Sequence, residues 1–99
     1  MLETLNKETK RKIVGILTVL FPEAKIYLFG SRAKGKARPF SDIDIALDAG
    51  EKIELARIGE ARDMFKESNI PFSFDFVDLQ SVSQEFRDVV LKEGIVWKE

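Results

Sequence analysis

Two aspartates separated by one residue are the first feature of the sequence that could do chemistry. Asp42 and Asp44 flank Ile43 at the start of a stretch in which polar and apolar residues alternate. In a strand, residues i and i+2 lie on the same face, about 6.6 Å apart along the backbone. Two close carboxylates repel each other unless a cation lies between them. Because Mg²⁺ takes oxygen ligands, the pair is a candidate magnesium site, although such alternation is also typical of a half-exposed edge strand.

Asp75 is the predicted third carboxylate of this site. It interrupts an apolar run at residues 72–79 that alternates like a strand. If that strand pairs with the first one, the two lie about 4.8 Å apart, and Asp75 can reach the same metal. Asp78 is the rival, but it falls on the opposite face of the strand from Asp75. The alternative for Asp75 is an ordinary exposed strand position or an ion pair.

A Gly-Ser pair that precedes Asp42 is a candidate phosphate-binding turn. Gly30 directly follows an apolar stretch at residues 25–29, where glycine permits a tight turn. If a helical turn begins at Ser31, its N–H groups attract anions. A phosphate cradle beside a carboxylate cluster is what metal-assisted phosphoryl or nucleotidyl transfer requires. Four cations follow the pair, and they either add to this site or form a solvated basic loop: Arg32, Lys34, Lys36 and Arg38.

The amino-acid composition excludes several other classes of chemistry. The chain has 99 residues, which we expect to form one domain over residues 1–99. It contains no cysteine and no histidine, which excludes disulfides, thiolate chemistry and imidazole bases or ligands. The net charge of −1 gives no general attraction to nucleic acid or membranes. The longest apolar run, residues 13–21, is too short to span a bilayer, so we predict a cytoplasmic protein.

The pattern along the chain predicts a small mixed β-sheet with helices packed mainly on one face, of the α/β (α+β) class. Helical spacing of apolar residues indicates one helix at residues 5–20. A second helix is predicted at residues 51–67, with Leu55, Ile58, Ala61 and Phe65 on its inner stripe. The predicted strands are residues 25–29, 42–48 and 72–79.

The last quarter of the chain predicts a third helix and a short end segment. Residues 81–84, Ser-Val-Ser-Gln, have the pattern of a capping box that begins this helix. Phe86, Val89 and Val90 are predicted to face inward, and Gly94 is predicted to end the helix. Residues 95–97 would form a short strand or a packing plug.

The combined pattern resembles the nucleotidyltransferase signature. Residues 30–35 followed by residues 41–45 contain Gly-Ser, ten intervening residues and Asp-x-Asp. Residues 74–79 resemble the strand that carries the third carboxylate in that superfamily, which includes DNA polymerase beta and the kanamycin nucleotidyltransferases. Residues 86–96 resemble the tail of the minimal nucleotidyltransferase subgroup, so the resemblance covers nearly the whole chain.

This resemblance implies the nucleotidyltransferase fold, ATP as substrate and two Mg²⁺ ions as cofactors. The catalytic carboxylates and metal ligands that it implies are Asp42, Asp44 and Asp75. The nucleotide-binding residues that it implies are Gly30 and Ser31, which bind the triphosphate, together with Arg32 and Lys34.

The resemblance also implies a protein partner. The minimal subgroup resembles the antitoxin half of two-gene prokaryotic modules, whose partner is a helical HEPN toxin, a toxic RNase. The nucleotidyltransferase there silences the toxin by transferring AMP to a tyrosine. Two alternatives stay open at this point: an antitoxin that acts by contact without catalysis, and a homodimer that transfers a nucleotide to a small molecule or an RNA end.

Overall fold

The computed structural model describes residues 5–35 and 42–99, which form three helices and four strands. In chain order the elements are α1 (Lys7–Leu20), β1 (Lys25–Phe29), β2 (Ile43–Asp48), α2 (Leu55–Glu67), β3 (Phe74–Asp78), α3 (Gln84–Glu93) and β4 (Ile95–Lys98). The predicted order of helices and strands is confirmed, including the short strand after Gly94. Among these residues no helix is both long and apolar enough to cross a membrane.

The four strands form one mixed sheet in the order β3-β2-β1-β4. β1 is antiparallel to both of its neighbours, β2 and β4, whereas β2 and β3 are parallel. The C-terminal end of β1 therefore lies at the same end of the sheet as the N-terminal ends of β2 and β3. Every predicted site residue that the structure describes belongs to this end or to the turn that follows β1.

The two faces of the sheet are covered unequally. α1 and α2 pack on one face, where their buried residues join the inward side chains of the strands in a single cluster: Ile13, Leu17, Ile26, Leu28, Ile43, Ile45, Leu47, Ile58, Ala61, Phe65, Phe76 and Trp97. α3 packs on the other face in a smaller cluster with Tyr27, Ala46 and Leu79. Two of the three helices thus share a face, which confirms the predicted class and leaves much of the second face for the site.

α2 begins four residues later than the sequence pattern predicts. The segment before it is not helical, because the Ile53 N–H donates to Asp78 Oδ2 at 2.8 Å and the Ile53 side chain is buried. The first helical residue is Leu55, which is 88% exposed, so its predicted place on the inner stripe is wrong. Ile53 fills the core position instead, from outside the helix.

The start of α3 also differs from the prediction. The N-cap is Ser83, whose hydroxyl accepts from the Phe86 N–H at 3.2 Å, so the predicted capping box from Ser81 is wrong. Ser81 instead donates to Asp78 Oδ2 at 2.9 Å. Val90 is buried as predicted, but Val89 is 53% exposed and Phe86 is only partly covered. One side of α3 therefore stays open to solvent beside the turn after β1.

Candidate active site

The three predicted carboxylates lie at one end of the sheet. Asp44 is the second residue of β2 and Asp75 is the second residue of β3, and the two stand directly opposite each other in the parallel register. On its other side Asp44 is paired with Phe29, the last residue of β1 before Gly30. Asp42 immediately precedes β2 and is exposed. The pairing that the prediction of Asp75 required is therefore present.

The Asp44 carboxyl is the electrostatic centre of this group. Burial raises its pKa above the ordinary value, and the charges of Asp75 and then Asp42 raise it further. Arg32 acts in the opposite direction and lowers the pKa. Asp44 is therefore close enough to Asp75 and to Asp42 for their charges to act on it. Such a group is stabilised by any cation that binds between its members.

Asp78, the rival for the third position, has a structural task at the other end of β3. Its carboxylate accepts hydrogen bonds from the Ile53 N–H at 2.8 Å, the Gln80 N–H at 2.9 Å and the Ser81 hydroxyl at 2.9 Å. These bonds fix the entry to α2 and the turn after β3. Asp78 pairs with Leu47 at the far end of β2 and does not approach Asp44.

The two aspartates of β3 should therefore respond differently to substitution. We expect Asp78→Ala to destabilise the fold by about 2 kcal/mol, because three hydrogen bonds to a carboxylate are lost, while transfer activity persists in the folded fraction. We expect Asp75→Asn to abolish transfer without loss of folding stability, since its exposed side chain is not needed for packing and its charge repels Asp44. Urea denaturation and a nucleotide transfer assay on both variants measure this; equal activity loss in the two would contradict it.

The turn after β1 is shaped by Gly30. Its φ of +76° lies in the left-handed region, and a Cβ added there would overlap Asp44 Oδ2 and lie 3.2 Å from Cγ. The absence of a side chain at residue 30 thus makes room for the Asp44 carboxylate. Residues 31–35 then form a tight turn, in which the Lys34 N–H donates to the Gly30 carbonyl at 3.3 Å. The structure has a hydrogen-bonded turn at residues 31–35 and no helix there, and Gly30 at its start lies directly beside Asp44.

The cations of the turn lie in very different environments. Arg32 is 3% exposed, with its guanidinium carbon 4.8 Å from the centre of the Phe72 ring. Lys34 is exposed, and its Nζ lies 3.8 Å from Glu93 Oε2 at the end of α3. The sequence pattern treats the two as equivalent, whereas the structure buries one and leaves the other at the surface. Lys36, Arg38 and Ser41 lie outside the described residues.

A shallow depression of about 110 Å³ borders this turn. It is lined by Phe29, Gly30, Lys34, Phe86, Val89, Val90 and Glu93. The Phe29 and Phe86 rings meet edge to face, with their centres 5.7 Å apart. The sequence pattern assigned Phe86 and Val89 to the core, so this border of the site was missed. A larger cavity of about 570 Å³ lies between α1 and α2 and includes none of the predicted site residues.

The donor set suits a hard divalent cation. The site offers only carboxylate oxygens, the ligands that Mg²⁺ prefers, and Asp44 already faces Asp75 across one strand pair. In residues 5–35 and 42–99, however, no three side chains of the kind that bind metals converge closely enough to hold an ion. The type of donor thus suits Mg²⁺, whereas the spacing of the side chains does not yet form a site. Magnesium binding stays a prediction.

Comparison with known proteins shows which family the chain belongs to. Residues 11–99 match the family described as polymerase beta, nucleotidyltransferase. The chain belongs to this nucleotidyltransferase family. The family predicted from the spacing of Gly30-Ser31 and Asp42-x-Asp44 is thereby confirmed.

Similar proteins give this nucleotidyltransferase a more specific context. It is 34% identical over 84 residues to a probable protein adenylyltransferase, MntA, of Haemophilus influenzae, covering 85% of this chain and 74% of that protein. A toxin-antitoxin crystal structure with AMP-PNP is similar with a TM-score of 0.78 and 31% identity, covering 89% of this chain and 71% of that one.

A third similar structure contains a modified toxin. This structure is the tri-AMPylated HEPN toxin of Shewanella oneidensis in complex with an MNT antitoxin. It matches this chain with a TM-score of 0.74 and 28% identity, covering 94% of this chain and 71% of that one. The relatives of this nucleotidyltransferase therefore include antitoxins solved together with their toxins, as the resemblance to the minimal subgroup implied.

Proposed function

We propose that this chain is a protein adenylyltransferase that transfers AMP from ATP to a tyrosine hydroxyl of a HEPN-type toxin, with Mg²⁺ as cofactor. The observation that carries this proposal is the placement of Asp44 opposite Asp75 and directly beside the Gly30 turn. A phosphate-binding turn and a carboxylate group in contact are the two halves that nucleotidyl transfer needs. The AMP-PNP complex and the AMPylated toxin among the similar structures supply the nucleotide and the acceptor class.

The turn after β1 would bind the nucleotide. Gly30 and Ser31 would present backbone N–H groups and a hydroxyl to the phosphates of the nucleotide, because the turn leaves these donors at its start. Lys34 is exposed on the same turn and could reach a phosphate by leaving Glu93, since an exposed ion pair at 3.8 Å is weak. These contacts would hold the α-phosphate over Asp44.

The chemical step is an in-line displacement at the α-phosphorus. The tyrosine oxygen forms a bond to the α-phosphorus, and the bond from that phosphorus to the bridging oxygen of the β-phosphate breaks. Pyrophosphate leaves with the electron pair, and the hydroxyl proton passes to a carboxylate. Asp75, exposed at the start of β3, is the group we assign to accept it.

Asp42, Asp44 and Asp75 would hold the cation once its binding draws their carboxylates together, since in residues 5–35 and 42–99 no three such side chains converge on one point. Mg²⁺ bound there would offset the charge on the phosphates and lower the pKa of the acceptor hydroxyl. Asp44 and Asp75 lie on paired strands and not on a loop, so the strand register determines the relative positions of these two residues. The acceptor would approach this pair.

The test uses the full chain and a HEPN-type toxin that it neutralises. With ATP labelled on the α-phosphate and Mg²⁺ present, we expect the toxin to gain label and the mass of AMP, and to gain neither with γ-labelled ATP. We also expect the modified residue to be a tyrosine, and we expect EDTA to abolish labelling. A toxin that stays unmodified while the chain still neutralises it would contradict the proposal and establish neutralisation by contact.

A further inference from the structure

Arg32 is a buried charge in the middle of the nucleotide-binding turn. Among residues 5–35 and 42–99 it is the one polar or charged residue that is buried, at 3% exposure. An ionised side chain is costly to bury unless opposite charge lies nearby. The position of Arg32 therefore requires an explanation within the fold.

A contact with Phe72 indicates where the Arg32 side chain lies. Its guanidinium carbon is 4.8 Å from the centre of the Phe72 ring, a distance at which cation and ring attract each other. Phe72 lies just before β3, three residues ahead of Asp75, and its side chain packs against the core. The arginine thus links the turn after β1 to the start of the strand that carries the third carboxylate.

The carboxylates are the nearby source of negative charge that would favour a buried guanidinium. Arg32 follows Gly30 by two residues, and the space beside Gly30 is occupied by the Asp44 carboxylate. The attraction between Arg32 and Asp44 is also evident in the pKa of Asp44, which Arg32 lowers against the effects of burial, Asp75 and Asp42.

We propose that Arg32 is a positioning residue, a resident counter-cation that holds the Asp44 side of the site against the start of β3 without contacting the nucleotide. The proposal rests on the proposed function, because it assigns Arg32 a task within that carboxylate site. It reassigns a residue that the sequence places with the nucleotide ligands. Arg32 neutralises part of the cluster before a metal binds, and its stacking on Phe72 keeps the turn and β3 in register with each other.

Lys34 offers a matched control on the same turn. It carries the same charge two residues later, but its side chain is 49% exposed and pairs only with the equally exposed Glu93 among the contacts described. Arg32→Met and Lys34→Met each remove one positive charge and leave an unbranched side chain. A residue that binds phosphate and a residue that positions carboxylates are distinguished by how these two variants differ.

The experiment measures steady-state AMP transfer and the melting temperature, the latter both in EDTA and in Mg²⁺. For Arg32→Met we expect kcat to fall by about 10²-fold with KM for ATP nearly unchanged, because misplaced catalytic groups lower the rate of the chemical step. We also expect Mg²⁺ to raise its melting temperature more than that of the wild type, since the metal now supplies the missing positive charge. For Lys34→Met we expect KM for ATP to rise about tenfold and the Mg²⁺-dependent shift to match the wild type.

The opposite pattern would overturn the proposal. A raised KM with unchanged kcat in Arg32→Met, or a Mg²⁺-dependent shift equal to that of the wild type, would make Arg32 a nucleotide ligand or a purely structural residue. If Arg32→Met does not fold, Phe72→Leu keeps the charge and removes the ring beneath it, and a smaller kcat loss in the same direction is expected. The melting measurements need no transfer activity, so a failure of the proposed function is recognised separately, by the absence of transfer in the wild type.

Discussion

Replacing Asp44 by asparagine is expected to abolish AMP transfer and, at the same time, to stabilise the metal-free protein. The loss of activity should be about 10³-fold or more, because a carboxylate that holds the catalytic cation contributes several kcal/mol to the transition state. The gain in stability follows from the surroundings of Asp44, since burial and the charges of Asp75 and Asp42 disfavour its ionised form. An uncharged amide of the same shape removes that repulsion. Activity and stability thus change in opposite directions.

The stability difference between Asp44→Asn and the wild type should depend on pH. The pKa of Asp44 is raised in the folded protein above its ordinary value of 3.8, so the folded chain holds this proton more tightly than the unfolded chain does. The stabilisation from this group is fully present below pH 3.8 and is lost as the pH rises through the raised pKa. In EDTA, the difference in melting temperature between Asp44→Asn and wild type should therefore grow as the pH rises through this window towards neutrality.

A matched control separates this effect from a general loss of negative charge. Asp63 is exposed on α2, far along the chain from the site, and Asp63→Asn removes the same charge. We expect Asp63→Asn to keep both wild-type activity and the wild-type pH profile of stability. If Asp44→Asn melts at or below the wild-type temperature in EDTA at neutral pH, the carboxylates do not repel each other as described.

Gly30→Ala is the second variant with a large expected effect, and it acts on both halves of the site at once. The φ of +76° costs alanine about 1–2 kcal/mol, and the added methyl group would overlap the Asp44 carboxylate. Relief requires either rotation of that carboxylate or a shift of the turn, which adds about 1–3 kcal/mol of packing strain. Because either movement separates the phosphate turn from the carboxylates, we expect transfer to fall by about 10²-fold.

Gly50→Ala isolates the backbone strain from this overlap. Gly50 has a φ of +83°, but a Cβ added there would meet no atom within 4 Å. Both substitutions therefore carry the cost of the left-handed backbone, and only Gly30→Ala carries the overlap. Urea denaturation should show the larger loss of stability for Gly30→Ala, and transfer should fall in that variant alone. Equal losses in the two variants would mean that Asp44 adapts freely to a side chain at residue 30.

The carboxylates and the turn were accessible from the sequence because local periodicity determines them. Alternation along residues 72–79 distinguishes Asp75 from Asp78, and the parallel register with β2 then brings Asp75 opposite Asp44. A glycine after a strand likewise predicts a turn without knowledge of the rest of the fold. The family followed from the same residues, because their spacing reflects how the site is assembled.

The environments of Arg32, Phe86 and Leu55 were not accessible in the same way. Whether Arg32 is exposed depends on Phe72, a residue distant in sequence, and the pattern of four cations contains no information about that contact. Phe86 has the spacing of a core residue, but the face of the sheet beside α3 is too sparsely covered to bury it. Leu55 is displaced because Ile53 is bound to Asp78 across the fold. Each departure arises from tertiary contacts between segments far apart in the chain.

The parallel pairing of β2 with β3 also determines when the protein can become active during its synthesis. The turn after β1 and the carboxylate of Asp44 come together through an antiparallel pair of neighbouring strands, which can close while the chain is still short. Asp75 follows α2 in the chain, so its pairing beside Asp44 requires a larger loop to close. A nascent chain that ends within α2 would therefore carry the phosphate turn but no complete catalytic centre. Transfer therefore requires that β3 has joined the sheet.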